Sequence, residues 1–204
     1  VQVVLATSNA GKQRELQALL APLGYRVLLQ SQLGVDAPAE TGASFEANAL
    51  LKARHAARRT ALPALADDSG LEVDALGGRP GAHSARYAGA GASDASNNAR
   101  LLAELAGVPP QRRGARYRCV LAFVRGPDDA APLVVAGSWE GRIGESERGR
   151  GGFGYDPLFI PTGCACTAAE LPAEEKNRLS HRGQALRSLV ERLAQLSDAA
   201  GARP

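Results

Sequence analysis

"VQVVLATSNAGKQRELQALLAPL", residues 1 to 23, changes character twice. Residues 1 to 6 are an apolar run that reads as a buried strand, and "TSNAGK", 7 to 12, is a turn of small and polar residues. Leu16, Leu19, Leu20 and Leu23 then recur at helical spacing and predict an amphipathic helix. Strand, short loop and helix in direct succession open an α/β fold.

The rest of the chain extends that pattern. "GYRVLLQS" (24–31) is a second strand, and a loop holding Pro38, Glu40 and Gly42 leads into a helix from about Ser44 to Arg59. Ser44 is its N-cap, and Phe45, Ala49, Ala53 and Ala56 form its apolar side. Asn48 and Lys52 lie one turn apart on this helix, a spacing that by itself describes a solvated edge. "LPALA" (62–66) reads as a central strand ending at Asp67 and Asp68. A glycine-rich loop (77–91) precedes a helix from Asp94 to Ala106, capped by Ser93 and terminated at Gly107. "RYRCVLAFV" (116–124) and "PLVVAGSWEGRI" (132–143) flank a turn-rich segment and predict an antiparallel hairpin, hence a mixed sheet. A second glycine-rich loop (148–157) runs into "LFI". In the terminal helix Leu186, Leu189, Val190, Leu193 and Leu196 mark the buried stripe, and residues 197–204 are expected to fray. The expected architecture is one α/β domain over residues 1–196, two-lobed, on a mixed sheet flanked by helices.

Of the 204 residues 45% are hydrophobic and 22% charged, enough for one sizeable core in a soluble globular protein. Aromatics are only 4%, so that core is expected to be mostly aliphatic. The net charge of +3 comes from 24 basic and 21 acidic residues spread along the chain. Without a basic stripe interleaved with aromatics, it suits an anionic small molecule better than nucleic acid. No apolar run approaches membrane-spanning length, and "VQVVLA" is too short for a signal peptide. Three cysteines, two of them at Cys164 and Cys166, make no disulfide framework and favour a reducing cytoplasm. His55, His83 and His181 show no zinc spacing. A chain that begins at Val1 and contains no methionine is expected to have had its start trimmed.

"TSNAGK" delivers a strand into a helix, where free backbone N–H groups and the positive end of the helix dipole form an anion site. Thr7, Ser8 and Asn9 are its donors and Lys12 its charge, although no Walker A motif is present. An ordinary helix cap beside a solvated lysine accounts for the same residues equally well. Adjacent carboxylates against an apolar core repel unless a cation balances them. Asp67 and Asp68 therefore suit a hard divalent ion such as Mg²⁺, with Glu40 a third oxygen donor. A Ser-Gly bend after a cap is the alternative, and in isolation the better one. The combination tips the balance. A phosphate-type loop, carboxylates without histidine or cysteine ligands, and a glycine-rich loop exposing Phe153 and Tyr155 fit a nucleotide held with Mg²⁺. "EEKNRLSHRGQ" (174–184) adds Lys176, His181 and Arg182, donors at a helix start suited to a base edge or to phosphate.

"TSNAGK", "ETGASFEANALLKA", "ADDSGLEVDALGGRPGAHSARYAG", "GGFGYDPLF" and "EEKNRLSHRGQAL", in this order, strongly resemble the inosine/xanthosine triphosphate pyrophosphatase family. The resemblance implies Mg²⁺-dependent hydrolysis of dITP, ITP, XTP and dXTP between the α- and β-phosphates, giving a monophosphate and pyrophosphate. It also implies a cytoplasmic homodimer whose subunits hold the active site in a cleft between two lobes, with neither nucleic acid nor membrane as partner. Carried over position by position, Thr7, Ser8, Asn9, Ala10, Gly11 and Lys12 resemble the triphosphate-binding loop. Glu40, Asp68 and Asp67 resemble the metal-linked carboxylates, with Asp68 the proton acceptor. Ser69, Asn48 and Lys52 match substrate-side positions. Phe153, Gly154, Tyr155, Asp156, Lys176, His181 and Arg182 resemble the nucleoside-binding set. "GCACT" (163–167) departs from the family's Gly-Lys-Thr-like segment, so no contact is carried over for that loop. Two rivals stand beside this reading: a Maf-type pyrophosphatase for other nucleotides, and a catalytically silent nucleotide-binding module. "SHR" and "FGYD" argue against the first, intact Asp68, Glu40 and Lys12 against the second.

Overall fold

The computed structural model describes residues 1–7 and 10–201; the side chains of 10–12, 15 and 197–201 also lie outside the description. β1 (Gln2–Leu5), α1 (Ala10–Leu20) and β2 (Arg26–Leu29) open the chain, and β1 and β2 run parallel, Val4 opposite Leu28. Leu16 and Leu20 of α1 are buried, whereas Leu19 is exposed and Leu23 falls in a 3₁₀ turn (Ala21–Leu23) that Pro22 initiates. The stripe is thus narrower than its leucines suggest. Polar α1 residues complete the contact. Gln13 Nε2 donates to Val27 O (3.0 Å), and Gln17 Oε1 accepts from Val27 N–H (2.8 Å), occupying backbone groups of an edge strand.

α2 (Phe45–Thr60) begins where its cap predicts, with Ser44 Oγ accepting the Ala47 N–H at 3.2 Å. Phe45, Ala49, Ala53 and Ala56 are buried, and the helix packs on β1. β3 (Ala64–Val73) follows, parallel to β1, with Leu5 opposite Leu65. Here the structure corrects the sequence reading: the strand does not end at Asp67 and Asp68 but continues through them to Val73. Both carboxylates are buried, at 8% and 7% exposure, and fully buried Leu71 and Val73 carry the strand onward. Side-chain partners absorb the charge, so the backbone need not leave the ladder to reach water.

α3 (Asp94–Glu104) is capped as expected, Ser93 Oγ accepting from Ser96 N–H at 3.2 Å, but it closes before Ala106. The buried Arg113 guanidinium takes the carbonyls of Leu105 (3.0 Å), Val108 (2.9 Å) and Gly144 (3.1 Å) and so finishes that helix end. β4 (Gly114–Val124), β5 (Leu133–Ile143) and β6 (Phe159–Pro161) complete a six-stranded sheet of order β2-β1-β3-β4-β5-β6. β5 and β6 are antiparallel, so the sheet is mixed, with β3 in its interior. α4 (Ala173–Leu179) and α5 (His181–Gly201) close the chain. In α5 Leu186, Leu189 and Leu193 are buried, Val190 is half-buried, and Leu196 is exposed, so the stripe ends earlier than predicted. The helix runs to Gly201, past the start assigned to a frayed tail; residues 202–204 lie outside the description.

By its internal contacts the chain divides into two units, residues 1–68, 120–136 and 185 onward, and residues 69–119 with 137–184. The first has the expected aliphatic core, including Val3, Val4, Leu5, Leu20, Ala49, Leu65, Leu121 and Leu189. The second concentrates the scarce aromatics: Phe159 meets Tyr117 edge-on at 4.8 Å and Trp139 at 5.3 Å, among Leu71, Leu101, Leu105 and Leu158.

Candidate active site

Successive side chains of a strand point to opposite faces, which separates the two aspartates. Asp68 faces α2. Its Oδ1 accepts from Lys52 Nζ at 2.8 Å and its Oδ2 from Asn48 Nδ2 at 3.2 Å. Lys52 Nζ also reaches Glu40 Oε1 at 3.0 Å, so one ammonium bridges two carboxylates. The solvated edge that spacing assigned to Asn48 and Lys52 is therefore corrected: Asn48 is fully buried, and Lys52 turns into the protein to reach Asp68. Asn48 further ties the Glu40 loop down, its Oδ1 accepting the Gly42 N–H at 2.8 Å. A side chain on Gly42 would come within 2.5 Å of that oxygen, which is why glycine stands there.

Burial pushes the Asp68 carboxyl above its ordinary value and Glu40 adds to this, against the opposing pull of Lys52 and Asn48. For Lys52, burial lowers the ammonium's affinity for its proton, but the two carboxylates outweigh it and raise it overall. Fully ionised, the trio carries one positive and two negative charges, an excess that favours a further cation. The convergent oxygens of Glu40 and Asp68 are the hard donors that Mg²⁺ takes, alongside waters and substrate phosphate. Among the described residues no three His, Cys, Asp or Glu side chains gather as a metal-holding group. Asp67, expected beside them, lies on the other strand face with Ser69, whose buried hydroxyl has no hydrogen-bond partner among the described residues. Of the expected phosphate loop, Thr7 turns through its N–H to Leu5 O (2.8 Å) and Ala10 starts α1. Ser8 and Asn9, and the side chains of Ala10, Gly11 and Lys12, lie outside the described residues.

The second glycine-rich loop holds the other expected set. Phe153 stands 63% exposed, with Lys176 Nζ 4.9 Å and Arg182 Cζ 5.8 Å from its ring centre. A large apolar ring is thus left in water with two cations close to it. Tyr155 differs from expectation: it is buried, its ring in the second unit's core and its hydroxyl donating to Ser84 O at 2.8 Å. Asp156, also buried, accepts the Phe153 N–H (2.8 Å) and the Lys176 ammonium, and after burial itself its charge helps to raise the Tyr117 phenol. α5 begins at His181 after Ser180, whose Oγ accepts the Gly183 N–H at 3.2 Å. The mostly buried His181 ring lies flat on Tyr117, 4.8 Å between centres and 9° between planes. Tyr117 thus touches two expected site residues at once, and nothing local in "RYRCVL" announces it. In the divergent "GCACT" loop, buried Thr167 donates to Arg148 O (2.8 Å), while burial and neighbouring Cys166 raise the Cys164 thiol.

Gly152 supplies a test of this loop. At φ 74° it is left-handed, and a Cβ there would overlap Asp156 Oδ2 and stand 2.9 Å from Lys176 Nζ. Gly152→Ala is expected to raise KM for a purine triphosphate about 10-fold, the scale of ~1.4 kcal/mol of binding, with kcat less affected. Unchanged KM would separate this loop from binding.

Known proteins match this chain along nearly its whole length. The sequence profile of the Ham1 family matches residues 3–192. A dITP/XTP pyrophosphatase of Methylococcus capsulatus is 61% identical over 196 residues, 96% of this chain and 98% of its own. One of Thioalkalivibrio sulfidiphilus is 56% identical, covering 95% and 98%. A solved HAM1 protein from Coxiella burnetii superposes with a TM-score of 0.92 at 46% identity, over 96% of this chain and 99% of its own. The Staphylococcus aureus Ham1 protein gives 0.88 at 38%, with coverage of 96% and 99%. Sequence and fold agree over the same span, and the chain belongs to the Ham1 family.

Proposed function

We propose that this chain is a nucleoside triphosphate pyrophosphatase acting on non-standard purine nucleotides, dITP, ITP, XTP and dXTP, and so cleansing the nucleotide pool. The observation that carries the chemistry is the buried Asp68 carboxylate, held at both oxygens by Lys52 and Asn48. The identity to two dITP/XTP pyrophosphatases supports the substrate class. In the reaction water attacks the α-phosphorus, the bond to the α–β bridging oxygen breaks, and a monophosphate and pyrophosphate leave. Asp68, oriented by Lys52 and Asn48, accepts the proton of that water. Mg²⁺, held by Glu40 and Asp68, would supply positive charge against the phosphate oxygens. In this reading the 7–12 segment, which leads into α1, binds the triphosphate.

Phe153 provides a stacking face for the base, and Lys176, His181 and Arg182 provide donors around it. Hypoxanthine and xanthine carry an oxygen at C6, which donors satisfy. Adenine's amino group would face donors unpaired, a costly mismatch once buried. We extend the proposal to a cytoplasmic homodimer with neither nucleic acid nor membrane as partner. Among the described residues no helix is long and apolar enough to cross a membrane.

Pyrophosphate release from dITP, XTP, dGTP, dATP and dTTP, with and without Mg²⁺, tests the reading. Release is expected only with Mg²⁺, and kcat/KM for dITP and XTP should exceed that for dATP by about 10²-fold or more. Equal rates on all five would defeat the base selectivity, a preference for dTTP would favour the Maf-type reading, and no release would favour a silent module.

A further inference from the structure

Phe153 projects into water, so its own packing does not hold it. Its direction is set by backbone. The Phe153 N–H donates to Asp156 Oδ2 at 2.8 Å. The next amide, Gly154 N–H, donates to Asp94 Oδ2 at 2.6 Å, and the Gly154 carbonyl accepts from Asn98 Nδ2 at 3.2 Å. Asp94 and Asn98 are four residues apart on α3 and so share a face. One helix face therefore takes both backbone polar groups of a single residue that lies 60 and 56 positions further along the chain. The bond to Asp94 is charge-assisted, the stronger kind. Asn98 is buried, and Gly154 sits at φ 63°, a left-handed conformation that such a grip must maintain. Neither contact is needed to start α3, whose cap is Ser93.

We propose that Asp94 and Asn98 are positioning residues for base recognition, clamping Gly154 so that the Phe153 ring is already in place when the base arrives. The proposal rests on the reading of Phe153 as the base platform. A ring ordered in advance does not lose that freedom on binding, so the clamp contributes affinity without touching substrate. Loss of the clamp should weaken binding in ground and transition states alike, raising KM while kcat holds.

The test is a mutant cycle read by steady-state kinetics on dITP. Asp94→Ala is expected to raise KM about 5- to 10-fold with kcat within about 2-fold. Asp94→Asn keeps an acceptor oxygen and should recover most of the loss. Asn98→Ala, which leaves the first turn of α3 alone, should show the same split. Ser93→Ala weakens the same helix without touching Gly154, so it should lower Tm and leave KM in place. In a Phe153→Ala background, itself raised in KM, adding Asp94→Ala should change nothing further, because Asp94 acts through that ring. An equal KM increase in both backgrounds, or no increase in wild type, would overturn the clamp. Unchanged KM in Phe153→Ala would instead overturn the base platform, and the clamp with it.

Discussion

Asp68→Asn is expected to lower kcat for dITP by about 10²-fold or more, the scale of lost general-base catalysis, while the protein keeps its fold. The amide has the shape of the carboxylate and keeps one acceptor oxygen for Lys52, 2.8 Å away in the wild type, but its NH2 then faces the Asn48 donor at 3.2 Å and it cannot take a proton from water. Stability relative to wild type should rise with pH. Burial raises the Asp68 carboxyl in the folded state, so its contribution is fully present below the unfolded value and is lost as pH rises through the folded one. Near neutrality the ionised side chain is thus a burden that a neutral amide lacks, while Lys52 keeps Glu40 at 3.0 Å. In thermal unfolding the Tm of Asp68→Asn, taken relative to wild type, should be higher at pH 8 than at pH 5. Such a trade of stability for function is common at active sites. Near wild-type turnover would remove Asp68 from catalysis; a Tm difference that does not change with pH would mean that its raised carboxyl does not weigh on stability. Asp67→Asn, on the opposite strand face, should cost much less activity.

The local features were legible because local physics decides them. Ser44 and Ser93 announce helix starts through a bond to the third residue onward, and the alanines of α2 repeat at its period. The β1-loop-α1 opening needs no more than its own residues. The reading of β3 failed for an instructive reason. Asp68 looked like a turn because its partners were unknown, and Lys52 and Asn48, 16 and 20 positions away, looked solvated for the same reason. Each was the other's missing partner, so both readings were wrong together, and only the ordered set of motifs pointed past them. Tyr155 was misread by its glycine-rich surroundings, which say nothing of the Ser84 carbonyl 71 positions away. Tyr117 and Asp94 carried no signal, since an ordinary strand tyrosine and an ordinary first-turn acid acquire their roles only through distant contacts.

Lys52→Met should produce the largest loss of stability, and one that depends on pH in a definite direction. The substitution keeps the length of the side chain and removes the ammonium that bonds both Asp68 and Glu40. Breaking a buried pair from one side leaves an uncompensated carboxylate, a cost of about 3 kcal/mol or more. In the wild type Lys52 and Asn48 pull the Asp68 carboxyl down against burial and Glu40; without Lys52 only the Asn48 bond opposes them, and the folded value climbs further. Asp68 then binds its proton more tightly folded than unfolded, so stability falls as pH rises from the ordinary carboxylate range through the folded value. Urea unfolding of the metal-free variant should therefore show a deficit that is largest near pH 8.5 and shrinks toward pH 5. NMR of the Asp68 carboxyl carbon, also without metal, should show its titration displaced upward from wild type. Activity should follow the same group: a carboxyl that holds its proton cannot accept one from water, so the acid limb of kcat/KM moves to higher pH. A deficit equal at both pH values would mean that Lys52 acts by filling space rather than by charge. An unmoved Asp68 titration would mean that the ammonium is not what keeps the base ionised.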